Sequence, residues 1–187
     1  MGERRLARLG ALFPLKVERV FTEIHPATPA QGMPIERLGY PPQQWSRMME
    51  SLARMGQAEN ILFAERTFTT NSHQALLLAE TVREIVPGLF EELNERLFRA
   101  YFTEGRNIGD EQVLRQIGSE SGIPAGSVER AWNDPTFEER LEAQGRMASA
   151  IGVTGIPTFV IGDQFVLEGA VPLDLLIRAA EKSRSGP

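Results

Sequence analysis

The 187-residue sequence contains no cysteine, and this absence excludes several kinds of chemistry. Without a thiol, the chain can form no disulfide, use no thiolate nucleophile and hold no metal through cysteine. Histidine is also scarce: we predict loop or helix-cap positions, and no metal site, for His25 and His73. The net charge of -5 argues against nucleic acid or an anionic membrane as the main partner. No apolar run approaches the length of a membrane span.

What the sequence does contain is typical of a globular domain. Hydrophobic residues make up 42% of the chain and charged residues 24%, which is ordinary for a soluble protein. A chain of 187 residues is long enough for one good-sized core or for one domain with an inserted subdomain.

The most informative stretch is 152–162, Gly-Val-Thr-Gly-Ile-Pro-Thr-Phe-Val-Ile-Gly. Its β-branched and aromatic run predicts a strand at 158–161, which cannot begin before Pro157 because proline lacks the N–H that a strand ladder needs. A glycine–aspartate turn and a second apolar run predict an antiparallel partner at 164–167. Apolar residues at helical spacing predict a helix over 172–182.

The rest of the chain is predicted to be mostly helical. Residues 2–12 form an amphipathic pattern, and alternating apolar residues over 15–21 predict a strand with one buried face. A proline-rich loop follows at 24–34. The remaining predicted helices cover 41–55, 72–86, 89–102, 111–121, 127–132 and 136–151. Three of these helices contribute to the predicted core. The helix at 41–55 contributes Trp45, Met48, Met49 and Leu52, and the helix at 72–86 contributes Ala75, Leu78, Ala79 and Val82. The helix at 136–151 contributes Phe137, Leu141, Met147 and Ile151.

These motifs together resemble a known family. The loop, proline, strand, turn, strand and helix look like the second half of a thioredoxin fold, and 152–161 is similar to the DsbA-like branch, especially its cytoplasmic FrnE-like group. Segment 71–75, Asn-Ser-His-Gln-Ala, resembles that family's Asn-Thr-x-x-Ala helix entry. Segment 99–108 resembles its Ala-Tyr-Phe-x-x-Gly-x-(Asp/Asn)-Ile motif.

The resemblance implies an α/β fold class: a thioredoxin fold with a large helical insertion. We expect a thioredoxin-fold domain formed by residues 1–39 and 134–187, with residues 40–133 as an inserted helical subdomain. In this fold the peptide bond before the proline, here Ile156–Pro157, is cis. The resemblance also implies a cytoplasmic protein.

The sequence departs from the family at its first residues. In relatives, a first strand and a Cys-x-x-Cys motif lie directly before the first helix, whereas residues 1–6 here take up that pattern after the cysteines. Our hypothesis is a truncated chain with a misassigned start. In the family the missing strand lies centrally, between the strands at 15–21 and 158–161. We therefore expect a split sheet, or a partner strand that fills the gap, since unpaired buried N–H and C=O groups cost about 1–3 kcal/mol each.

The activity implied by the resemblance is thiol–disulfide exchange on protein thiols or disulfides. A chain without cysteine should be redox-inactive, so we expect no catalytic residue, no metal and no cofactor, and we expect substrate binding at Gly155, Ile156 and Pro157. One alternative is a glutathione-binding enzyme like 2-hydroxychromene-2-carboxylate isomerase or the kappa-type glutathione transferases, with the segment at Asn71 and Ser72 near its pocket. Another is a non-catalytic binding or chaperone-like module. The oligomeric state stays open, with a homodimer among the options.

Two further polar candidates have plain structural interpretations. We expect Asn71 or Ser72 to cap the helix that follows, and for Ser72 we expect this role rather than that of a nucleophile, because asparagine and serine are both favoured at the N-cap. Glu138 and Glu139 are interpreted as a solvated helix face rather than an acid/base pair.

Overall fold

The computed structural model describes residues 1–185. Twelve regular elements are present in this range, and two 3₁₀ turns, Ile35–Leu38 and Pro87–Leu89, join some of them. The elements in chain order are α1 (Gly2–Gly10), β1 (Met33–Pro34), α2 (Pro42–Ala58), β2 (Phe68–Thr69), α3 (His73–Ile85), α4 (Phe90–Phe102), α5 (Glu111–Glu120), α6 (Ala125–Asn133), α7 (Pro135–Ala150), β3 (Thr158–Ile161), β4 (Phe165–Glu168) and α8 (Leu173–Ser185).

The chain divides into two compact units. The terminal unit comprises Met1–Val20 and the chain from Arg146 onward, and the central unit comprises Phe21–Gly145. The terminal unit is discontinuous because the central unit is inserted into it along the chain.

The terminal unit is built on the hairpin of β3 and β4. The two strands are antiparallel, with Thr158 opposite Glu168 and Ile161 opposite Phe165, so the predicted hairpin is confirmed. Helices α1 and α8 pack together, and they bury Leu9 and Leu176. Half-buried apolar residues of the hairpin and of α8 pack against this small core: Phe159, Ile161, Leu167, Leu173 and Ile177.

The central unit holds the larger core, with α3 at its centre. This helix packs most extensively against α6 and also contacts α4 and α5. The four residues predicted as its core stripe are all buried: Ala75, Leu78, Ala79 and Val82. Phe137 and Leu141 of α7 join the same core. The only strands of this unit within the described residues, β1 and β2, form a short antiparallel pair that the sequence pattern did not predict.

The predicted strand at 15–21 is wrong. The segment has no regular secondary structure. Of the apolar residues expected on its buried face, Phe21 is buried, but the others are exposed: Leu15 by 37%, Val17 by 41% and Val20 by 38%. The physical reason is that a strand exists through its hydrogen-bonded neighbour, and none pairs with this segment among residues 1–185. Because β3 pairs only with β4 in the same range, the expected split sheet is reduced to this hairpin.

Parts of the predicted core on α2 and α7 are also wrong. On α2, Met48 is 39% exposed and Trp45, Met49 and Leu52 are only partly buried. Near the end of α7, Met147 is 44% exposed and Ile151, just past the helix, is 52% exposed. Helical periodicity shows which residues share a face, but it does not show whether another element covers that face.

Candidate functional site

The loop from Thr154 to Pro157 turns the chain from α7 into β3. Its geometry is set by short contacts: the Thr158 hydroxyl donates a hydrogen bond to the Gly155 carbonyl at 2.7 Å, and the Gly169 N–H donates to the Pro157 carbonyl at 2.7 Å. The Ile156–Pro157 peptide bond is cis. The three predicted binding residues are therefore consecutive parts of one tightly hydrogen-bonded turn.

Ile156 is the open position of this turn. Its side chain is 61% exposed. Within residues 1–185, neither its backbone N–H nor its backbone C=O has a hydrogen-bond partner. Because the residue lies just before β3, these groups resemble the free edge of a strand, which another extended chain can pair with.

The start of α1 lies directly against Pro157. A Cβ atom added to Gly2 would be 3.1 Å from Pro157 Cγ and 3.4 Å from the end of the Phe159 ring, so only a glycine fits here without displacement. Helix α1 is held in place by the buried Arg5, which donates hydrogen bonds to the carbonyls of Ala170 and Val171. The amino end of a helix has a partial positive charge. The loop therefore lies beside a region that favours anions.

A carboxylate, which the sequence interpretation missed, borders the loop on the hairpin side. The Thr154 hydroxyl donates to Glu168 Oε1 at 2.8 Å. A Cβ added to Gly155 would lie 2.6 Å from the same oxygen. The register of β3 and β4 could have indicated this neighbour, because Glu168 is opposite Thr158.

The two other segments that resemble family motifs meet in the central unit, where both hold the proline-rich loop. The Asn71 side-chain amide donates to the Thr28 carbonyl at 2.5 Å and to the Pro26 carbonyl at 3.3 Å. The Asn107 amide donates to the Ala30 carbonyl at 2.9 Å. Both asparagines thus have structural roles in this unit.

Asn71 also caps α3. Its side-chain oxygen accepts the His73 N–H at 2.8 Å, whereas Ser72, at the N-cap position, makes no capping bond through its side chain. Of the two residues considered as caps, the structure selects the asparagine. The hydrogen bonds give Asn71 a structural role, and its closeness to a glutathione pocket stays a prediction.

His73 lies between two carboxylates. Its Nδ1 is 3.2 Å from Glu23 Oε2 and its Nε2 is 3.0 Å from Glu138 Oε2. Burial of the imidazole lowers its pKa, but the hydrogen bonds and negative charges of the two glutamates outweigh burial and raise the pKa of His73 above its ordinary value. His73 is at the helix start, as expected, but Glu138 is an ion-pair partner rather than merely a solvated residue.

A depression in the described part of the chain does not involve the loop. It is shallow and follows α2, lined by Pro41, Gln43, Gln44, Arg47, Met48 and Ser51. None of the predicted binding residues contributes to it. Among residues 1–185 there is no helix with the length and apolar character that crossing a bilayer requires.

Known proteins share the whole architecture. Residues 1–180 match the model of the DsbA-like thioredoxin domain. A solved structure of a probable DsbA oxidoreductase from Streptomyces coelicolor is similar, with a TM-score of 0.87, 22% identity and coverage of 100% of this chain and 84% of that one. A 2-hydroxychromene-2-carboxylate isomerase structure has a TM-score of 0.69, 17% identity and coverage of 98% of this chain and 88% of that one.

A curated sequence relative is more similar but over a shorter stretch. The uncharacterized Bacillus subtilis protein YwbO is 34% identical over 89 residues, which is 47% of this chain and 44% of YwbO. The matched stretch therefore spans less than half of that relative. Together with the family match, these similarities confirm the expected thioredoxin fold with a helical insertion. The chain belongs to the DsbA-like thioredoxin family.

Proposed function

We propose that this chain provides the docking part of a DsbA-like thiol–disulfide exchange system, through Gly155, Ile156 and Pro157. The observation that supports this most is the open backbone of Ile156, which is 61% exposed and has no hydrogen-bond partner among residues 1–185. Pairing with an extended polypeptide at such an edge uses main-chain hydrogen bonds, so it tolerates many substrate sequences.

The neighbouring helix start gives the docked chain a chemical environment. The first backbone N–H groups of α1 lie beside Pro157, and a helix amino end stabilises a thiolate over a thiol. A cysteine of a substrate paired at Ile156 would lie close to this positive end. Exchange then requires a thiolate that attacks a disulfide sulfur and releases the other sulfur as a thiolate. Both sulfur atoms come from outside residues 1–187, which contain no cysteine.

The charge beside the loop favours a polypeptide over glutathione. Glu168 is exposed and hydrogen-bonded to Thr154, so a carboxylate borders the docking edge. Glutathione has two carboxylates and one amine, so Glu168 repels its net negative charge and opposes the attraction of the neighbouring helix end. An internal segment of a polypeptide brings only its backbone and its own side chains.

The proposed docking is tested by altering the peptide ligand, while the protein stays unchanged. A short, neutral, extended peptide is titrated calorimetrically, in parallel with the same peptide N-methylated at the amide meant to pair with the Ile156 carbonyl. Loss of one hydrogen bond of about 0.5–1.5 kcal/mol predicts binding weaker by roughly two- to tenfold. Equal binding of the two peptides would show that backbone pairing is not the mode of docking.

A third arm addresses the glutathione-binding alternative. S-methylglutathione cannot exchange its sulfur, so it reports binding alone. We expect it to bind more weakly than the neutral peptide and to gain affinity when Glu168→Gln removes the carboxylate. Tighter binding of S-methylglutathione than of the peptide would favour the isomerase or transferase type instead.

A further inference from the structure

Arg66, in the central unit, is surrounded by aromatic rings. Its guanidinium carbon lies 5.6 Å from the ring centre of Trp45, 5.5 Å from that of Tyr101 and 6.0 Å from that of Phe102. Tyr40 stacks on Trp45 with a centroid distance of 6.0 Å. These five residues, from α2, its preceding loop, the connector after it and the end of α4, define the Arg66 cluster.

The backbone fixes this arrangement. The Ala64 N–H donates to the Phe102 carbonyl at 2.8 Å, and the Thr103 hydroxyl donates to the Leu62 carbonyl at 3.0 Å. The connector that contains Arg66 is thereby tied to the end of α4. The guanidinium is consequently held over the rings of Tyr101 and Phe102 by main-chain geometry as well as by its own contacts.

The hydrogen bonding of Arg66 is incomplete. Nη2 donates to the Tyr101 hydroxyl at 2.8 Å, whereas Nε is buried without a partner. Nη1 makes no hydrogen bond within residues 1–185, and it is not among the buried unpaired atoms of that range. A guanidinium has five N–H donors, so most of the donors of Arg66 are unused, and Nη1 is not fully buried.

The charge of Arg66 is also uncompensated. Among the described residues no carboxylate lies within ion-pair distance of it, although other partly buried arginines do have such partners: Arg96, for example, pairs with Glu104 and Glu120. Aromatic rings attract a cation through their faces but supply no negative charge and no hydrogen-bond acceptor comparable to a carboxylate. The cluster is therefore complementary to an anion.

The aromatic rings of the Arg66 cluster indicate what kind of molecule carries the anion. Trp45 and Tyr40 present a stacked pair, and Tyr40 is 37% exposed, so a flat apolar surface is open to solvent beside the cation. A planar carboxylate can accept two parallel hydrogen bonds from a guanidinium edge, and an aromatic ring attached to it can pack against the exposed ring of Tyr40. Neither a bare inorganic anion nor a neutral aromatic molecule uses both features.

We propose that the Arg66 cluster is a binding site for a small aromatic carboxylate, with Nη1 and Nη2 of Arg66 binding the carboxylate and Trp45 with Tyr40 contacting the ring. This site is separate from the proposed docking residues at Ile156, and its test does not depend on thiol chemistry.

The test uses 4-fluorobenzoate, observed by ¹⁹F NMR line width, against the intact 187-residue protein. We expect saturable binding, and binding at least about tenfold weaker for the neutral 4-fluorobenzamide, because the amide loses the charge-assisted hydrogen bonds. Inorganic sulfate should displace the benzoate only weakly. No saturable binding at millimolar ligand, equal binding of the amide, or efficient displacement by sulfate would each overturn the assignment.

Substitutions in the protein test the same proposal independently. Arg66→Met should weaken 4-fluorobenzoate binding at least about tenfold, and Arg66→Lys should have an intermediate effect because it keeps the charge but not the planar fork. Arg47→Met is the matched control, since it removes the same charge from an exposed position on α2 and should leave binding unchanged. An equal loss in Arg47→Met and Arg66→Met would contradict the proposal. Should Arg66→Met fail to fold, the comparison of 4-fluorobenzoate with 4-fluorobenzamide on the native protein tests the proposal instead.

Discussion

Gly2 and Pro157 touch at the point where the first helix meets the docking loop. A Cβ added to Gly2 would lie 3.1 Å from Cγ and 3.2 Å from Cβ of Pro157. The two residues belong to distant parts of the sequence, so this contact couples the start of the chain to the turn before β3. A backbone-to-proline contact of this kind positions the amino end of α1 beside Ile156.

A pair of glycine variants tests this contact. At Gly10, at the other end of α1, an added Cβ would have an atom of Leu15 as its nearest neighbour at 3.8 Å, which is ordinary contact. Gly10→Ala should therefore stabilise the protein by up to about 0.5–1 kcal/mol through helix propensity. Gly2→Val should destabilise it by about 1–3 kcal/mol through overpacking, measured by urea unfolding. Equal effects in the two variants would show that Pro157 does not constrain Gly2.

A cysteine probe tests the electrostatics of the same helix end. Met1 is at the N-cap of α1 and Ala11 at its C-cap. With an additional initiator methionine in front, the thiol of Met1→Cys should have a pKa lower than that of Ala11→Cys by about one unit, because the helix dipole favours the thiolate at the amino end. The pH dependence of alkylation rate gives both values. A lower pKa at Ala11→Cys would contradict the proposed role of this helix end.

The ion-paired His73 predicts a pH dependence of stability. Its pKa in the folded protein is raised above the ordinary value of 6.5 by Glu23 and Glu138. Its contribution to stability is then complete below the unfolded-state pKa and is lost as the pH rises through the folded-state pKa. The stability difference between the native protein and His73→Gln should thus be largest below pH 6.5 and shrink as the pH rises above it.

The control for this experiment is His25→Gln, at an exposed loop position. It should lower stability little, because the residue is at the surface. A stability difference for His73→Gln that grows with rising pH would contradict the assigned ion pairs.

The cap of α3 predicts a contrast between neighbouring residues. Asn71→Ala removes the acceptor for the His73 N–H and the donor to the Thr28 carbonyl, and should cost about 1–3 kcal/mol. Asn71→Asp keeps the acceptor but places a carboxylate against the carbonyl oxygens of the loop, so it should also destabilise. Ser72→Ala should stay within about 0.5 kcal/mol, since that side chain makes no capping bond. A larger loss for Ser72→Ala than for Asn71→Ala, measured by urea unfolding, would restore serine as the cap.

The sequence could predict two kinds of element: those formed by segments close together in the chain, and helices with a stripe of apolar residues that becomes buried. The hairpin at Thr158–Ile161 and Phe165–Glu168 follows from its apolar runs and its turn, and α3 follows from Ala75, Leu78 and Val82 on one face. The strand at 15–21 could not be judged in this way, because its alternation is real but its existence depends on a neighbour that the described chain does not provide.

The site was partly predictable for a similar reason. Gly155, Ile156 and Pro157 are adjacent in sequence, so a motif could indicate them. The approach of Gly2 to Pro157 and the two carboxylates on His73 join distant positions. No local spacing reports such contacts, and only the folded chain brings these residues together.

The most direct test of the docking proposal is an isotope-edited NMR titration of the protein with the neutral extended peptide. The largest amide shift changes should occur at Ile156, where the free backbone groups lie, and at Gly155 and Thr158, whose amides are the nearest to it in the chain. They should be absent with the peptide that is N-methylated at its pairing amide. Changes confined to other parts of the chain, or none at all at millimolar peptide, would contradict the account.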